Sequence, residues 1–330
     1  MRKHIKCFVF SETPKILIIN YYLLIVFKIM NEIIERLNKL KKEKNAVILA
    51  HIYQLPEIQD IADFVGDSLD LSRKAAETNA DVIVFCGVHF MAETAAILSP
   101  QKTVLIPDVN AGCPMADMIT ADQLKAEKSK YKNPVVVAYV NTSAAVKAES
   151  DICCTSSNAV NVVKSVDAET IIFVPDRNLG DYAQKQSGKK MVIWNGFCPT
   201  HNNMLPEHVL KAKEEHPNAE VLVHPECRPE VVALADFAMS TGVMCRHVPQ
   251  SPKKEFIIGT ETGILYKLQK ENPDKKFYPL FEQAVCPNMK KITIAKVLDV
   301  LENNKNVVKV PEEIREKAYL PIKKMLAVNS

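Results

Sequence analysis

The sequence predicts an α/β protein of three similar small domains, each a parallel sheet covered by helices, packed around a pseudo-threefold axis. A Cys-Pro pair closes three similar stretches, at Cys113, Cys198 and Cys286, which lie 85 and 88 residues apart in the 330-residue chain. Each stretch begins with an apolar run that ends in a polar residue. A hydroxyl side chain follows that residue at a constant distance. Self-similarity at regular spacing indicates a repeated unit, here about the size of a small α/β domain.

The repeated offsets define the units. The first apolar runs end at His51, Tyr139 and His224, and Ser68, Ser156 and Thr241 each follow 17 residues later. The second apolar runs occupy 81–85, 170–174 and 255–258, and the Cys-Pro pairs come after them. We therefore predict units at 31–116, 117–202 and 203–290, and a helical tail at 291–330 that packs on the body.

The N-terminus is judged separately from the units. Ile16–Phe27 is an apolar run of twelve residues, too short for a membrane-spanning helix, which needs about 20 residues. It resembles the apolar part of a signal peptide but has no small-residue cleavage site. Because Met30 offers a fresh start, we expect translation to begin there naturally and residues 1–29 to have no role in the fold. Asn31 is then the predicted N-cap of an amphipathic helix that ends at Lys44.

The other elements follow from hydrophobic pattern. The first strand is predicted at Ala46–Ala50, and helices at 58–64, 71–78 and 159–166 alternate with apolar runs of four or five residues. Uninterrupted apolar runs between helices are typical of parallel strands that are buried on both faces. The tail is predicted to form helices at 292–303 and 311–323.

Composition limits the classes of function. A net charge of +3, with no long basic run that carries aromatic residues, argues against nucleic-acid binding. Nine cysteines are too few for a disulfide scaffold of this size, and an odd number cannot all pair. Reduced thiols, some of them metal ligands, fit better and favour a cytoplasmic protein.

Parallel sheets bind ligands beyond the carboxyl ends of their strands, so the polar residues there are candidates for a central active site. These residues are His51, Tyr53, Tyr139, Asn141, His224, Glu226 and the three cysteines. Ser68, Ser156 and Thr241 come before or at the start of helical stretches, where a single hydroxyl is usually a helix cap. Three hydroxyls at one offset favour an anion cradle at helix N-termini. Structural histidines and packed tyrosines remain the alternative for the individual residues.

A proline after a cysteine is common beside iron–sulfur ligands, where it helps to turn the chain. If the units surround one axis, Cys113, Cys198 and Cys286 converge and hold three irons of a 4Fe-4S cluster, and the fourth iron stays open. A buried thiol in a turn is the alternative for any one of them. Structural zinc is disfavoured because no C-x2-C pair is present. Cys227 could line the pocket without being a ligand. The thiols predicted to be core residues are Cys86, Cys153, Cys154 and Cys245.

The motifs together resemble the quinolinate synthase family. The resemblance runs from about Asn31 to the end of the chain and depends on these stretches, in this order: His51-Ile-Tyr53-Gln, Gly66-Asp-Ser68, Gly87-Val-His89-Phe-Met-Ala-Glu93, Tyr139-Val-Asn141, His224-Pro-Glu226-Cys and Cys286-Pro-Asn-Met289. The last motif departs from the C-x-x-C-x-x-C of some members, so no redox switch through paired cysteines is expected there.

The resemblance implies an activity and a pathway. Members condense iminoaspartate with dihydroxyacetone phosphate and release phosphate and two waters, which gives quinolinate for NAD biosynthesis. One cysteine of each domain holds the 4Fe-4S cluster, and L-aspartate oxidase supplies the imine. The sequence leaves the oligomeric state open, with a homodimer among the options.

Roles for individual residues follow from the same resemblance. His51 and Ser68 look like the phosphate end of the site, and Asn141, Ser156, His224 and Thr241 look like holders of carboxylates. Glu226 is the candidate general acid or base, assisted by Tyr53, Tyr139 and His224. The open iron is expected to act as a Lewis acid that helps a hydroxyl leave as water. His89 and Glu93 are expected to give structural support.

Two other functions remain open at this point. A hydro-lyase with an open cluster would share the Lewis acid but would not release phosphate. A non-catalytic iron–sulfur sensor would not need so many polar residues at strand ends.

Overall fold

The structure is a computed structural model that describes the backbone of residues 14–329 and the side chains of residues 28–329. Twelve strands form three separate sheets of four, and every pairing between neighbouring strands is parallel. Each sheet has the same order, in which the second strand of the unit lies at one edge, followed by the first, third and fourth. The predicted fold class, three similar α/β domains, is confirmed.

The first sheet has the order β2-β1-β3-β4. Its strands are β1 (Ala46–His51), β2 (Phe64–Gly66), β3 (Val82–Cys86) and β4 (Thr103–Leu105). The helices of this part are α1 (Pro14–Glu43), α2 (Pro56–Ile61), α3 (Ser68–Glu77) and α4 (His89–Leu98). The prediction that Asn31 caps a helix is wrong, because α1 begins at Pro14 and continues through Asn31. Between those two residues the sequence has no glycine or further proline to end a helix. Residues 1–13 of the doubtful N-terminal segment lie outside the described residues.

The second sheet has the order β6-β5-β7-β8. Its strands are β5 (Val135–Tyr139), β6 (Ile152–Cys154), β7 (Ile171–Val174) and β8 (Val192–Ile193). The helices here are α5 (Ala121–Lys128), α6 (Ala144–Ala148), α7 (Ala159–Ser165), α8 (Arg177–Ser187) and α9 (Pro199–Asn202). The short helix α9 begins directly after Cys198.

The third sheet has the order β10-β9-β11-β12. Its strands are β9 (Glu220–Val223), β10 (Phe237–Ala238), β11 (Glu255–Gly259) and β12 (Lys276–Pro279). The helices are α10 (Pro206–Glu215), α11 (Pro229–Leu234), α12 (Thr241–Gln250) and α13 (Ile264–Glu271), and the tail forms α14 (Ile294–Asn303) and α15 (Glu312–Ala327).

The three units repeat the same hydrogen bonds as well as the same strand order. In every unit an aspartate accepts the backbone N–H near the start of the first strand, and it lies 12 residues after the end of that strand in the first two units and 13 in the third. The pairs are Asp63 with Ile48 (2.8 Å), Asp151 with Val136 (2.8 Å) and Asp236 with Val221 (2.7 Å). Because these bonds are internal to each unit, they are evidence that each unit is one structural copy.

A lysine closes a helix in each unit in the same way. Lys102, Lys189 and Lys275 each donate to two backbone carbonyls at the ends of α3, α7 and α12. The last carbonyls of a helix have no partner within the helix, and they carry partial negative charge. A lysine there donates hydrogen bonds to these carbonyls and places a positive charge beside their partial negative charge.

The hydrophobic core is shared unequally. One cluster of buried side chains runs through the first two units and includes residues of α14 and α15. The third unit has two smaller clusters, and one of these also contains Ile52 of the first unit. The tail also pairs with the edge of the first sheet, because Val308 donates its N–H to the Val104 carbonyl at 2.8 Å. Among the described residues, no helix is both long enough and apolar enough to cross a membrane.

Candidate active site

The ends of the strands surround one cavity of about 640 Å³, which includes the part open to solvent. All twelve residues that the sequence singles out line it: His51, Tyr53, Ser68, Cys113, Tyr139, Asn141, Ser156, Cys198, His224, Glu226, Thr241 and Cys286. Each unit contributes the residue that follows or ends its first strand, a hydroxyl and a cysteine.

The three cysteines share one local structure. The thiol of each accepts a hydrogen bond from the backbone N–H three residues later, at Ala116, His201 and Met289 respectively. A short helical turn begins just after each cysteine, at Ala116–Met118, Pro199–Asn202 and Met289–Lys291. Cys198 is the N-cap of its turn, whereas Met115 and Asn288 are the N-caps of the other two. Proline suits the first turn after Cys198 because it has no N–H to satisfy.

The thiols fit a group that binds thiolates. Burial raises the pKa of Cys113 to about 12, with smaller contributions from Cys286 and Glu226, and burial also raises the pKa of Cys198 and Cys286. None of the cysteines in the described part of the chain forms a disulfide. Three thiols that resist ionisation and face one cavity need a cation to become thiolates, and metal coordination deprotonates them.

A chain of hydrogen bonds crosses the cavity wall from Tyr53 to Tyr139. The Tyr53 hydroxyl lies 2.6 Å from the Thr260 hydroxyl, which lies 2.8 Å from Nε2 of His201. Nδ1 of His201 lies 2.7 Å from the Glu226 carboxylate, and the Tyr139 hydroxyl donates to the other carboxylate oxygen at 2.6 Å.

The direction of this chain follows from its end. An ionised carboxylate can only accept hydrogen bonds, so Nδ1 of His201 carries a proton, and in the neutral ring Nε2 is then an acceptor. Thr260 then donates to His201 and accepts from Tyr53. Protons can therefore pass from Tyr53 to Glu226 with each group remaining in place.

The charge state of Glu226 depends on its neighbours. Burial alone would raise its pKa, but the charge of the adjacent His201 and His224 rings when they are protonated, together with the hydrogen bonds from His201 and Tyr139, outweighs burial and lowers the pKa to about 2. The direction rests on direct contacts, because Glu226 is 3% exposed and both of its oxygens have donors. Glu226 is therefore a carboxylate at neutral pH.

His51 and His224 are neutral donors at neutral pH. Burial lowers the pKa of His51 to about 4 and that of His224 to about 3. Nδ1 of His51 accepts the N–H of Tyr53, and Nδ1 of His224 accepts the N–H of Glu226, each at 3.2 Å. The proton of each ring is thus on Nε2, where His224 meets the hydroxyl of Ser156 at 3.1 Å.

The hydroxyl residues lie near helix starts, although not in one common way. Ser68 and Thr241 are the first residues of α3 and α12, whereas Ser156 precedes α7 by three residues. At α3 two of the first backbone N–H groups are not available for an anion. Asp67 already accepts the N–H groups of Leu69 and Asp70, at 2.9 and 3.0 Å.

The side chain of Asn141 has unused hydrogen-bonding capacity. Its amide oxygen is buried and has no partner among the described residues. Buried polar atoms without partners are rare and costly, so an atom of this kind on a cavity wall suits a ligand or a bound water.

Sequence reasoning missed several residues of this site. His201, Thr260, Glu261 and Asp176 belong to the site's hydrogen bonds, but each occurs in only one or two units. His201 follows Cys198 by three residues, where the other units have Ala116 and Met289. A comparison of repeats finds what the copies share, so a residue in a single copy is not signalled.

The remaining thiols lie away from the cavity, and the expectation that Cys227 could line it is wrong. The Cys227 sulfur contacts the Gly259 carbonyl at 3.5 Å and packs within a cluster of the third unit. His89 and Glu93 lie apart too. Glu93 accepts the N–H of Ala144 at 3.0 Å and so connects α4 to the start of α6.

One trio of side chains has the spacing of a metal site. Ligand atoms of Cys198, His201 and Glu226 all lie within 4.8 Å of one another. The 2.7 Å separation of His201 from Glu226 is a hydrogen bond, and a metal bound to Nδ1 would have to displace that proton. As it stands, the trio is a hydrogen-bonded group beside one of the three thiols.

Comparison with known proteins agrees with this geometry. A family model described as Quinolinate synthetase A protein matches residues 35–327. A protein named quinolinate synthase from Dehalococcoides mccartyi is 58% identical over 293 residues, which is 89% of this chain and 97% of the relative. Proteins of the same name are 55% identical in Thermodesulfovibrio yellowstonii (91% and 100% covered) and 57% identical in Methanosarcina barkeri (90% and 98% covered). The chain belongs to the quinolinate synthetase A protein family of enzymes.

Proposed function

We propose that this protein is a quinolinate synthase, a transferase that condenses iminoaspartate with dihydroxyacetone phosphate and releases phosphate and water, in de novo NAD biosynthesis. The observation that carries the proposal is the hydrogen-bonded chain from Tyr53 to Tyr139, which passes beside three thiols in one cavity. Condensation with loss of water needs groups that move protons and anion sites that hold the substrates, and the cavity wall carries both.

Cys113, Cys198 and Cys286 would hold a 4Fe-4S cluster. Their raised pKa values, their shared turn and their common cavity support this assignment. The cluster would supply a Lewis acid at the iron that has no cysteine ligand.

Glu226 is the proposed base. As a carboxylate at neutral pH, it can take a proton that reaches it through His201 and Thr260 from Tyr53. Tyr139, which donates directly to Glu226, can return a proton to a substrate oxygen and be reprotonated through that carboxylate. Burial raises the pKa of both tyrosines, so each remains a proton donor. His224 supports this group through its contact with Glu226.

The anion sites use neutral donors. We propose that His51 and Ser68 bind the phosphate, with Nε2–H of His51 and the Ser68 hydroxyl as donors. Asn141, Ser156, His224 and Thr241 would hold the carboxylates of iminoaspartate. A neutral imidazole donor binds an anion without carrying a buried charge, which is costly in a closed site.

The partners of the enzyme, its location and the limits of its units are proposals as well. The substrates are small molecules, L-aspartate oxidase is the functional source of the imine, and the protein is proposed to work in the cytoplasm, as a homodimer or as a monomer. The units are proposed to be 31–116, 117–202 and 203–290, with 291–330 as the tail. The sheets, which span 46–105, 135–193 and 220–279, fall inside these limits.

A mononuclear metal held by Cys198, His201 and Glu226 is the second candidate, because their ligand atoms are within 4.8 Å of one another. Such a site would bind one ion per chain and would leave Cys113 and Cys286 unused. Metal analysis separates the two, since a cluster requires about four irons and four sulfides per chain.

The test is anaerobic reconstitution with iron and sulfide, followed by assay with dihydroxyacetone phosphate and freshly made iminoaspartate. We expect quinolinate and phosphate in equal amounts. Dehydration without phosphate release would favour a hydro-lyase, and iron uptake without turnover would favour a sensor.

A further inference from the structure

Two buried carboxylates hold two of the three cysteine turns. Asp176 accepts the N–H of Leu179 at 2.7 Å with one oxygen and the N–H of Cys198 at 3.1 Å with the other. Glu261 accepts the N–H of Gly263 at 2.7 Å and the N–H of Cys286 at 2.9 Å. Both side chains are fully buried. Each carboxylate therefore ties the segment after a central strand to the residue that carries the thiol.

The first unit lacks this carboxylate. Asp176 lies 37 residues after Tyr139, and Glu261 lies 37 residues after His224. The equivalent position in the first unit, 37 residues after His51, is occupied by Val88. Valine has no acceptor. Among residues 14–329, the N–H of Cys113 has no hydrogen-bond partner. The turn of Cys113 is thus held by fewer bonds than its two counterparts.

We propose that Asp176 and Glu261 are positioning residues that fix the thiols of Cys198 and Cys286, whereas Cys113 is fixed mainly when metal binds. The inference rests on the proposed role of the three cysteines as cluster ligands. It concerns the chain's own hydrogen bonds and does not require either carboxylate to titrate.

The physical reason lies at both ends of each cysteine turn. The thiol accepts an N–H from three residues later, which fixes the exit of the turn, and the carboxylate accepts the cysteine's own N–H, which fixes its entry. With both ends held, the sulfur keeps its direction before metal arrives. In Glu261 an ion pair with Lys290, at 3.0 Å, holds the carboxylate as well. At Cys113 the exit bond is present, but the entry has only the bond that all three units share, here from the N–H of His89 to the Ala111 carbonyl at 2.8 Å, and no carboxylate accepts the N–H of the cysteine itself.

Asp176→Asn tests the hydrogen bond from the N–H of Cys198 with little change to the start of α8. Asparagine is as good a helix cap as aspartate, so its oxygen can still accept the N–H of Leu179. Its NH₂ group then faces the N–H of Cys198, where an acceptor stood. Glu261→Gln makes the same exchange at Cys286. Asp151→Asn and Asp236→Asn are matched controls, because those aspartates accept backbone N–H groups at strand starts away from the cysteines.

The experiment is hydrogen exchange by mass spectrometry on the iron-loaded and the metal-free protein, together with the rate of iron release to a chelator. In the metal-free wild type we expect the peptide with Cys113 to exchange at least about tenfold faster than those with Cys198 and Cys286. Asp176→Asn should speed exchange at Cys198 and iron release by about tenfold, with exchange at Cys286 unchanged. Glu261→Gln should show the reverse pattern.

Two results would overturn the inference: equal protection of all three cysteine peptides in the metal-free wild type, or equally fast iron release from the two control variants. If the wild type takes up no iron, the cluster proposal fails instead. The exchange patterns of metal-free Asp176→Asn and Glu261→Gln would still decide whether the carboxylates hold the turns.

Discussion

The hydroxyl of Tyr139 donates a 2.6 Å hydrogen bond to the carboxylate of Glu226, although the two residues lie 87 positions apart and at the ends of strands of different sheets. Glu226 also accepts a hydrogen bond from Nδ1 of His201, which lies in the turn of Cys198. One buried carboxylate therefore joins side chains from two units, and it terminates the hydrogen-bonded chain that begins at Tyr53. The first two predictions test that chain.

Glu226→Gln is expected to lower quinolinate turnover by about 10²–10⁴-fold, the usual contribution of a positioned acid or base. The amide cannot accept a proton from His201. Iron content and circular dichroism should match the wild type, since the change is isosteric. Glu220→Gln is a matched control, because Glu220 pairs with His247 at the same 2.7 Å but lies outside the cavity. Near-normal turnover in Glu226→Gln would end the acid–base assignment.

Thr260→Val is expected to interrupt proton transfer between Tyr53 and His201 and to reduce kcat by roughly tenfold to a hundredfold. Thr260→Ser should restore most of the rate, because it restores the hydroxyl. Thr94→Val removes a buried hydroxyl that bonds only its own helix, at Phe90, and should leave kcat unchanged. Equal effects of the Thr260 and Thr94 valine variants would show that the loss is one of packing.

Replacement of Cys113, Cys198 or Cys286 by serine is expected to remove the cluster, because each thiolate would hold one iron. Iron per chain and visible absorption after reconstitution are the measurements. Cys245→Ser is the control, since Cys245 packs in the third unit away from the cavity. Full iron content in any one of the three variants would remove that residue from the ligand set.

Stability is expected to fall as the pH drops from about 6.5 towards 4. Burial lowers the pKa of His51 to about 4 in the folded protein, whereas an exposed histidine has a pKa near 6.5. Between these values the unfolded chain binds the additional proton, so acid favours unfolding. One such histidine is worth about 2 kcal/mol between pH 7.5 and pH 5. Urea unfolding at several pH values should show a shallower dependence for His51→Asn, and an unchanged slope would contradict the assignment.

Gly242→Ala is expected to destabilise the protein by about 1–3 kcal/mol. A Cβ at Gly242 would lie 2.5 Å from a carboxylate oxygen of Asp67. Asp67 cannot move freely, because two backbone N–H groups and the Ser157 hydroxyl hold it. A Cβ at Gly112 would meet nothing within 4 Å, so Gly112→Ala is the steric control. Chemical denaturation measures both, and equal stability would contradict the predicted clash.

Much of the site could be predicted because the chain repeats itself. The fixed offset from His51, Tyr139 and His224 indicated the hydroxyls, and the repeated Cys-Pro pairs indicated the cysteines. The structure brings all of these residues to one cavity. The pattern also indicated parallel sheets, since the two central strands of each sheet contain an apolar run. The start of α1 was not predictable in this way, because the apolar run before Asn31 is as compatible with a helix as the segment after it.

The sequence alone determined which residues stand at the ends of strands, because the alternation of apolar runs and helices fixes where each strand stops. Only the tertiary structure decided which side chains at those ends form hydrogen bonds with one another. The contacts of Glu226 with Tyr139 and His201, and of Asp176 with Cys198, join residues that are 22 to 87 positions apart. Such contacts depend on the side-chain directions and on the packing of three separate sheets, and neither leaves a periodic trace in the order of residues.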